Sequence, residues 1–382
     1  MNIAEITTVG GGMDRHVSEL IDGIQDNIFL VVGNVKEIRQ QEENGRNYFH
    51  LKCLASIKGC YFINPLNSYS KLKGFIQKNN IDLIHIHAPV YPFIFPVVKN
   101  MHIPKILTVH YLLTFNGNRF YSSFFQIFIQ AYTKFMAKNV DKIVLINKEY
   151  IPIFEKWGVE KSKLIYIPNG INTERFSPGH SEIKKKLQCK NLVVFWGRLD
   201  YQKNVSMLLE AFKKIKIENT VLVIIGKGEE EKQLKKHAGD NVIFTGYLND
   251  AEMLEYIRDA DIAVFPSRGE SWGLVIGEAM ACELPVVTPN VGIVEDLIGE
   301  DRGIILKGNT SDYMAEAIQF LLKNKQNAKK MGKRARTFIV NNYSWEMVKQ
   351  RTMKVYSDVV KTQSKQPKMD IVISSLPEKQ EF

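Results

Sequence analysis

The run Asp261-Ile262-Ala263-Val264-Phe265-Pro266-Ser267 reads as a buried strand that ends in a turn, and Glu270-Ser271-Trp272-Gly273-Leu274-Val275-Ile276-Gly277-Glu278-Ala279-Met280-Ala281 as a second turn leading into a short helix. A brief apolar run bounded by turn residues suits a strand covered on both faces of a parallel sheet. Open parallel sheets collect their ligands at the C-terminal ends of their strands. Gly273 lets the chain turn sharply into the helix, whose free N–H groups and positive dipole end suit a phosphate. A carboxylate repels phosphate. A carboxylate beside the anion site makes sense if it accepts hydrogen bonds from hydroxyls joined to that phosphate, such as those of a sugar or ribose, and Glu270 and Glu278 stand eight residues apart here. The outline is a nucleotide-sugar site.

Outward from this stretch, short apolar strands alternate with longer helical segments, the pattern of parallel α/β sheets. In the first half strands are expected near 3–8, 28–32, 83–87, 105–109, 142–146 and 165–167, with helices near 14–24, 69–79 and 120–138. Pro168-Asn169-Gly170-Ile171-Asn172 closes that half with a turn, and an extended stretch to Pro178 reads as a hinge. The alternation then restarts, with strands near 192–196, 221–225, 242–245, 262–265 and 285–288. Helices are expected near 205–216, 229–238, 251–258, 273–281, 294–298 and 310–323. A final amphipathic helix over 344–361 begins at Ser344 as N-cap. The expected division is a first Rossmann-like domain over 1–172, a second over 173–343, a helix over 344–361 and a mobile tail over 362–382.

The chain has 382 residues, 45% of them apolar and 24% charged, the composition of a globular protein. No apolar run is long enough to cross a bilayer, and the N-terminus enters a strand without the basic and apolar blocks of a signal peptide. Cys53, Cys60, Cys189 and Cys282 are scattered, so free, buried thiols in the cytosol are expected. The net charge is +10, and residues 1–172 carry 19 Lys and Arg against 13 Asp and Glu. That excess suits an anionic membrane surface or a phosphorylated acceptor. It equally suits plain solubility. Dispersed basic residues and the lack of a recognisable binding module argue against nucleic acid.

Four further features carry chemistry. Val9-Gly10-Gly11-Gly12-Met13 follows the first strand and lets backbone approach a ligand, although a tight turn alone would also use glycines. The dinucleotide fingerprint fails there, because Arg15 stands where its third glycine belongs. Trp196-Gly197-Arg198-Leu199-Asp200-Tyr201-Gln202-Lys203-Asn204 places a guanidinium and an ammonium after a strand, where together they can clamp a diphosphate. Thr108-Val109-His110 ends another strand with a histidine able to bond a substrate hydroxyl or help move a proton; His85 and His87 compete for that role. Phe120, Tyr121, Phe124, Phe125, Phe128, Tyr132 and Phe135 recur at helical spacing, as a core face or as a surface dipping into a bilayer. Metal-ligand spacings and His/Cys clusters are not read anywhere.

In combination these motifs resemble the family 4 glycosyltransferases, which have the GT-B fold: two Rossmann-like domains facing across a cleft, with a C-terminal helix crossing back to the first. The resemblance runs from Gly10 to the Tyr343-Ser344-Trp345 helix and is strongest from Asp261 to Val287, through the Glu-X7-Glu spacing. It implies transfer of a sugar, with retained configuration, from a nucleoside diphosphate sugar to a saccharide or a lipid-linked or other cell-envelope acceptor. A UDP-sugar is placed ahead of a GDP-sugar, no metal or other cofactor is required, and the setting is cytoplasmic, extending to the inner face of the cell membrane. Arg198 and Lys203 would neutralise the leaving diphosphate, and Glu270 would hold hydroxyls of the transferred sugar. Glu278 would take the ribose, and His110 would contact the donor sugar. Gly11, Gly12, Trp272, Gly273 and Leu274 would line the donor. Three positions depart from the family pattern: Tyr111 where Asp is common, Glu283 for a usual glycine, and Gly292-Ile293-Val294-Glu295, which lacks a second glycine and a proline. A sugar-nucleotide epimerase of the same architecture and a non-catalytic sugar-nucleotide-binding protein are the alternatives.

Overall fold

The computed structural model describes residues 1–7, 12–24, 26–34, 40–43, 46–57, 60–63, 65–88, 99, 101–110, 130–270 and 272–364. Gly10, Gly11, Tyr111, Ser271, the residues 120–129 of the aromatic stripe and the tail beyond 364 lie outside them.

The first sheet holds β1 (Asn2–Thr7), β2 (Asn27–Asn34), β3 (Gln40–Glu43), β4 (Arg46–Ile57), β5 (Cys60–Ile63), β6 (Leu83–Ala88), β7 (Lys105–Val109), β8 (Lys142–Leu145) and β9 (Leu164–Tyr166). Its order is β3-β4-β2-β1-β6-β7-β8-β9, with β5 paired to β4. The strands from β2 through β9 run parallel to their neighbours along this order, and only β3 and β5 are antiparallel to β4. β3, β4 and β5 were not expected from the sequence. Around β4 the apolar residues alternate with polar ones, and Phe49 and Leu51 bury one face against Phe75. That is the one-sided signature of a sheet margin rather than the continuous apolar run of a central parallel strand.

The period of two divides the central strands cleanly. Ala4, Ile6, Ile84, Ile86, Leu107, Val109, Ile143 and Leu145 form one apolar face. The opposite face begins apolar at the strand N-termini, with Ile3, Leu83, Ile106 and Val144, packed under Leu20, Val348, Val355 and Val359. Two residues further along it turns polar on three of these strands, at Glu5, His85 and Thr108. Val348, Val355 and Val359 belong to the helix Trp345–Ser364, so the last helix of the described chain lies against the first sheet. Its entry is fixed at the hinge. Ile171 bridges to Ser344, Trp345 N–H donates to the Ile171 carbonyl at 3.2 Å, and a side chain at Gly170 would strike the Trp345 ring.

The second sheet is parallel throughout, in the order β12 (Val242–Gly246), β11 (Thr220–Ile225), β10 (Asn191–Trp196), β13 (Ile262–Val264), β14 (Val286–Thr288), β15 (Gly303–Ile305). β10, β13 and β14 are wholly buried. The helix Lys325–Tyr343 was also unexpected. Its inward positions are Ala328, Gly332, Ala335, Ile339 and Tyr343, mostly small residues whose periodicity is faint on any hydrophobicity scale. Small residues there allow close approach: a side chain at Gly332 would collide with the Glu283 carbonyl. The two sheets are tied by Lys148 to Asp296 at 2.5 Å, and by Arg175 to Glu19 at 3.3 Å and to Asp250 at 2.9 Å. Cys282 is a free, buried thiol pushed up to about 12 by burial, whereas the free Cys189 is only half-buried, less than expected.

Candidate functional site

Two polar clusters stand at strand C-termini, one on each sheet. On the second sheet, β13 ends at Val264, and the chain runs through Pro266 and Ser267 to Glu270 before the helix Leu274–Ala281. Gly273 caps that helix at φ 81, in the left-handed region that a side chain resists. The first intrahelical bonds return to the Gly273 carbonyl from Ile276 and Gly277, so the Leu274 and Val275 amides precede the hydrogen-bonded ladder. From Ile276 to Ala281 the helix is buried, with the Arg336 guanidinium donating to its Ala281 carbonyl.

Glu270 Oε1 accepts from Lys203 Nζ at 2.5 Å and from the Ser267 hydroxyl at 2.8 Å. Lys203 and Glu270 are 16% and 12% exposed, so this is a largely desolvated ion pair. Lys203 is placed by a turn in which its N–H donates to Asp200 Oδ1 at 3.1 Å. The following Asn204 sits in the left-handed region at φ 50, donates to the Pro266 carbonyl and accepts from Arg268. The same asparagine thus joins the Lys203 turn to the loop that carries Glu270. Arg198 lies 3.1 Å from Asp200 and is 75% exposed. The cations expected to meet a diphosphate are both paired with carboxylates. Two glycines allow the close packing around them: a side chain at Gly226 would overlap the Gly197 carbonyl, and one at Gly292 the Glu270 carbonyl.

Glu278 is buried, and its Oε2 accepts from the Trp196 indole at 3.1 Å. Trp272, expected to line the donor, has its side chain in the core. The ring is 2% exposed and packs edge-on against Tyr343 at 5.6 Å. Only its backbone remains to meet a donor. Leu274 is half-buried at the helix start.

On the first sheet the histidines form a cluster, where none was read from the sequence. Glu5, His85, His87 and His110 lie on one face of β1, β6 and the end of β7, buried, with His16 of the helix Gly12–Ile21 edge-on to His110 at 4.6 Å. Gly12 opens that helix. Glu5 Oε1 accepts from the Tyr356 hydroxyl at 2.8 Å. Glu5 Oε2 lies 2.8 Å from His87 Nε2 and 3.0 Å from His85 Nδ1. His87 Nδ1 is 3.0 Å from His110 Nε2, and His85 Nε2 is 2.7 Å from Thr108 Oγ1. Burial pushes the Glu5 carboxyl up, but attraction to His85 and hydrogen bonds from His85 and His87 outweigh it and hold the group well below the ordinary carboxylate range. Burial, then repulsion from His85, lowers His87 to about 4 despite its bond to Glu5. Burial and the neighbouring imidazoles lower His16 to about 3 and hold His110 well below its usual value. One nitrogen or oxygen from each of His16, His87 and His110, and likewise of Glu5, His85 and His87, lies within 4.8 Å of the others, a spread compatible with a metal ion. The direct His87–His110 contact, however, is that of a hydrogen bond. The sequence signal for this cluster was Glu5 itself, a lone charge inside the apolar strand Asn2–Thr7.

Two parallel α/β sheets in succession, with the last helix returning to the first sheet, make up the GT-B fold. Comparison with known proteins gives the family. A profile described as Glycosyltransferase Family 4 matches residues 10–175, and one described as Glycosyl transferases group 1 matches residues 179–338. The chain is 28% identical over 363 residues to an uncharacterized glycosyltransferase of Methanocaldococcus jannaschii, covering 91% of this chain and 95% of that protein. It is 26% identical over 310 residues to a phosphatidyl-myo-inositol mannosyltransferase of Mycobacterium leprae, covering 78% and 79%. The solved structure of Anabaena HepE in complex with UDP superposes with a TM-score of 0.77 at 16% identity, covering 94% of this chain and all of that one. The chain belongs to the family 4 glycosyltransferases.

Proposed function

We propose that this glycosyltransferase moves a hexosyl group from a nucleoside diphosphate sugar, a UDP-sugar in the first instance, to a saccharide or lipid-linked acceptor with retention of anomeric configuration. The observation that carries it is the Lys203–Glu270–Ser267 constellation beside the start of the helix Leu274–Ala281. In the structure the ammonium and the carboxylate satisfy one another. A donor entering with its diphosphate toward Lys203, Arg198 and the Leu274 and Val275 amides would take over the cation. Glu270 would then be free to accept from hydroxyls of the transferred sugar. After the exchange Lys203 has an anionic partner, and the Glu270 carboxylate keeps hydrogen-bond donors in the Ser267 hydroxyl and the sugar hydroxyls, which limits the cost of leaving it without its cation. As the bond to phosphate breaks, negative charge grows on the diphosphate, and fixed cations with helix N–H groups stabilise it where water is excluded. Positive charge on the sugar ring would face the Glu270 carboxylate. Glu278, held by Trp196, is assigned the ribose hydroxyls, and His110 the donor sugar.

The UDP of the Anabaena structure supports the nucleotide, and the mycobacterial relative's lipid substrate supports the acceptor class. The basic excess of residues 1–172 supports an acceptor presented at an anionic membrane surface. No helix among the described residues is long and apolar enough to cross a membrane. The decisive experiment measures turnover in Lys203→Ala with a panel of nucleotide sugars, with thermal melting as the control for folding. Loss on the order of 100-fold in kcat is expected, as for removal of one fixed group that stabilises developing charge. Unchanged turnover, or a product of inverted configuration by NMR, refutes the assignment.

A further inference from the structure

We propose that Glu5, His87 and Tyr356 are positioning residues that fix the tautomer of His110, so that His110 presents a bare Nδ1 lone pair to a hydroxyl of the bound sugar. The proposal rests on the reading of His110 as a donor-sugar contact.

The tautomers follow from hydrogen-bond chemistry alone. An ionised carboxylate only accepts, so the Tyr356 hydroxyl and His87 Nε2 must donate to Glu5, and His85 Nδ1, 2.6 Å from the Tyr356 oxygen and 3.0 Å from Glu5 Oε2, carries the proton that it offers to both. His87 therefore carries its proton on Nε2. A neutral imidazole has one proton, which leaves His87 Nδ1 as an acceptor. The group 3.0 Å from it is His110 Nε2, which must donate. His110 is also neutral, and its remaining nitrogen, Nδ1, is bare. That nitrogen has no partner among the described residues, although His110 is 7% exposed at the very end of its strand.

The consequence reaches the chemistry. A bare Nδ1 accepts a hydrogen bond from a sugar hydroxyl; a protonated one would compete for an oxygen lone pair and place positive charge near a ring that is itself becoming positive. Neutrality is built in, because His16, His85 and His87 surround His110 and any added proton would meet burial and like charge together. The far end of the relay is Tyr356, on the helix Trp345–Ser364. The helix that covers the first sheet thus supplies the hydroxyl that orients Glu5, and with it the whole chain of donors. Thr108 fixes the remaining nitrogen of His85, so no member of the relay can flip without losing a buried partner.

Long-range proton–nitrogen NMR on protein labelled with 15N at its eight histidines reads the tautomers directly. The His110 resonances are assigned by their loss in His110→Gln. The expected pattern is a protonated Nε2 and a bare Nδ1 for both His87 and His110 in the wild-type chain near pH 7. In Glu5→Gln the amide can donate to His87, the relay loses its direction, and the His110 signals should become mixed or reversed. Its kcat should fall by on the order of tenfold or more with the donor KM little changed, and Tyr356→Phe should give a smaller fall of the same kind. A wild-type His110 protonated on Nδ1 overturns the proposal even if no variant folds. So does Glu5→Gln with unaltered histidine signals and kcat. The two readings separate cleanly: His110→Gln with full turnover but the expected wild-type tautomer would sink the donor-sugar contact and leave the relay intact.

Discussion

At the scale of single residues, the buried acids of the two sheets are handled in different ways. Glu5 has three donors and stays ionised in the core, whereas Glu270 shares its charge with Lys203 in a pair that a diphosphate can displace. Glu278 resembles Glu5 in being buried, and the Trp196 indole is one of its donors. Trp196 also packs edge-on against Phe265 at 4.8 Å, so its ring is held whether or not the indole bond is made. Trp196→Phe should therefore keep the ring contact and remove one donor from a buried carboxylate. The expected cost is about 1–3 kcal/mol in stability. On the proposed assignment of Glu278 to ribose, the donor KM should rise about fivefold, because a carboxylate that lacks its orienting bond meets the hydroxyls less well. The check is unfolding in urea together with donor KM and kcat. A fall confined to kcat would place Glu278 away from ribose.

At the scale of elements, Glu283 stands where the family usually has glycine and takes a backbone conformation suited to glycine. The residue adopts φ 62, the left-handed conformation a glycine would take at no steric cost, just after the helix Leu274–Ala281. Its carbonyl lies where Gly332 of the helix Lys325–Tyr343 leaves room, so the turn and that helix pack backbone to backbone. The left-handed strain in a residue with a Cβ is roughly 1–2 kcal/mol, against about 0.4–1 kcal/mol of extra unfolded-state entropy for glycine. Glu283→Gly should then stabilise the protein by about 0.5–1 kcal/mol without altering turnover. A lower urea midpoint would mean that the Glu283 side chain makes a compensating contact. Gly332→Ala is the converse case: its methyl has no space beside the Glu283 carbonyl, and the Lys325–Tyr343 helix must shift to admit it.

At the scale of the whole molecule, the legible parts were those carried by local pattern. The alternation of strands and helices, the turn at Pro168-Asn169-Gly170, the Lys203 turn and the Glu270 helix all announce themselves within a few residues. What stayed hidden depends on distance along the chain. The helix Lys325–Tyr343 is buried through alanine and glycine, and the histidine cluster gathers Glu5, His16, His85, His87, His110 and Tyr356 from separate elements. No spacing rule connects residue 5 to residue 356; only closure of the last helix onto the first sheet does. That closure has a thermodynamic consequence. His87 and His110 are held neutral, lowered from 6.5, His87 to about 4, so below pH 6.5 the unfolded chain takes up protons that the folded chain refuses. The unfolded state binds more protons, and stability falls as pH falls. Each fully withheld proton costs about 1.4 kcal/mol per pH unit, so near pH 5 these two imidazoles together give a slope of roughly 2–3 kcal/mol per unit. Glu5 extends the loss to lower pH, because its folded carboxyl resists protonation that the unfolded one accepts. The effect belongs to the first sheet, so the measurement is hydrogen exchange of the β1 and β6 amides at pH 7, 6 and 5, corrected for intrinsic rates. Protection should drop steeply between pH 6 and 5 in those strands and much less in β10 and β13. Equal pH dependence in both sheets would show that the buried imidazoles are protonated as easily in the fold as outside it.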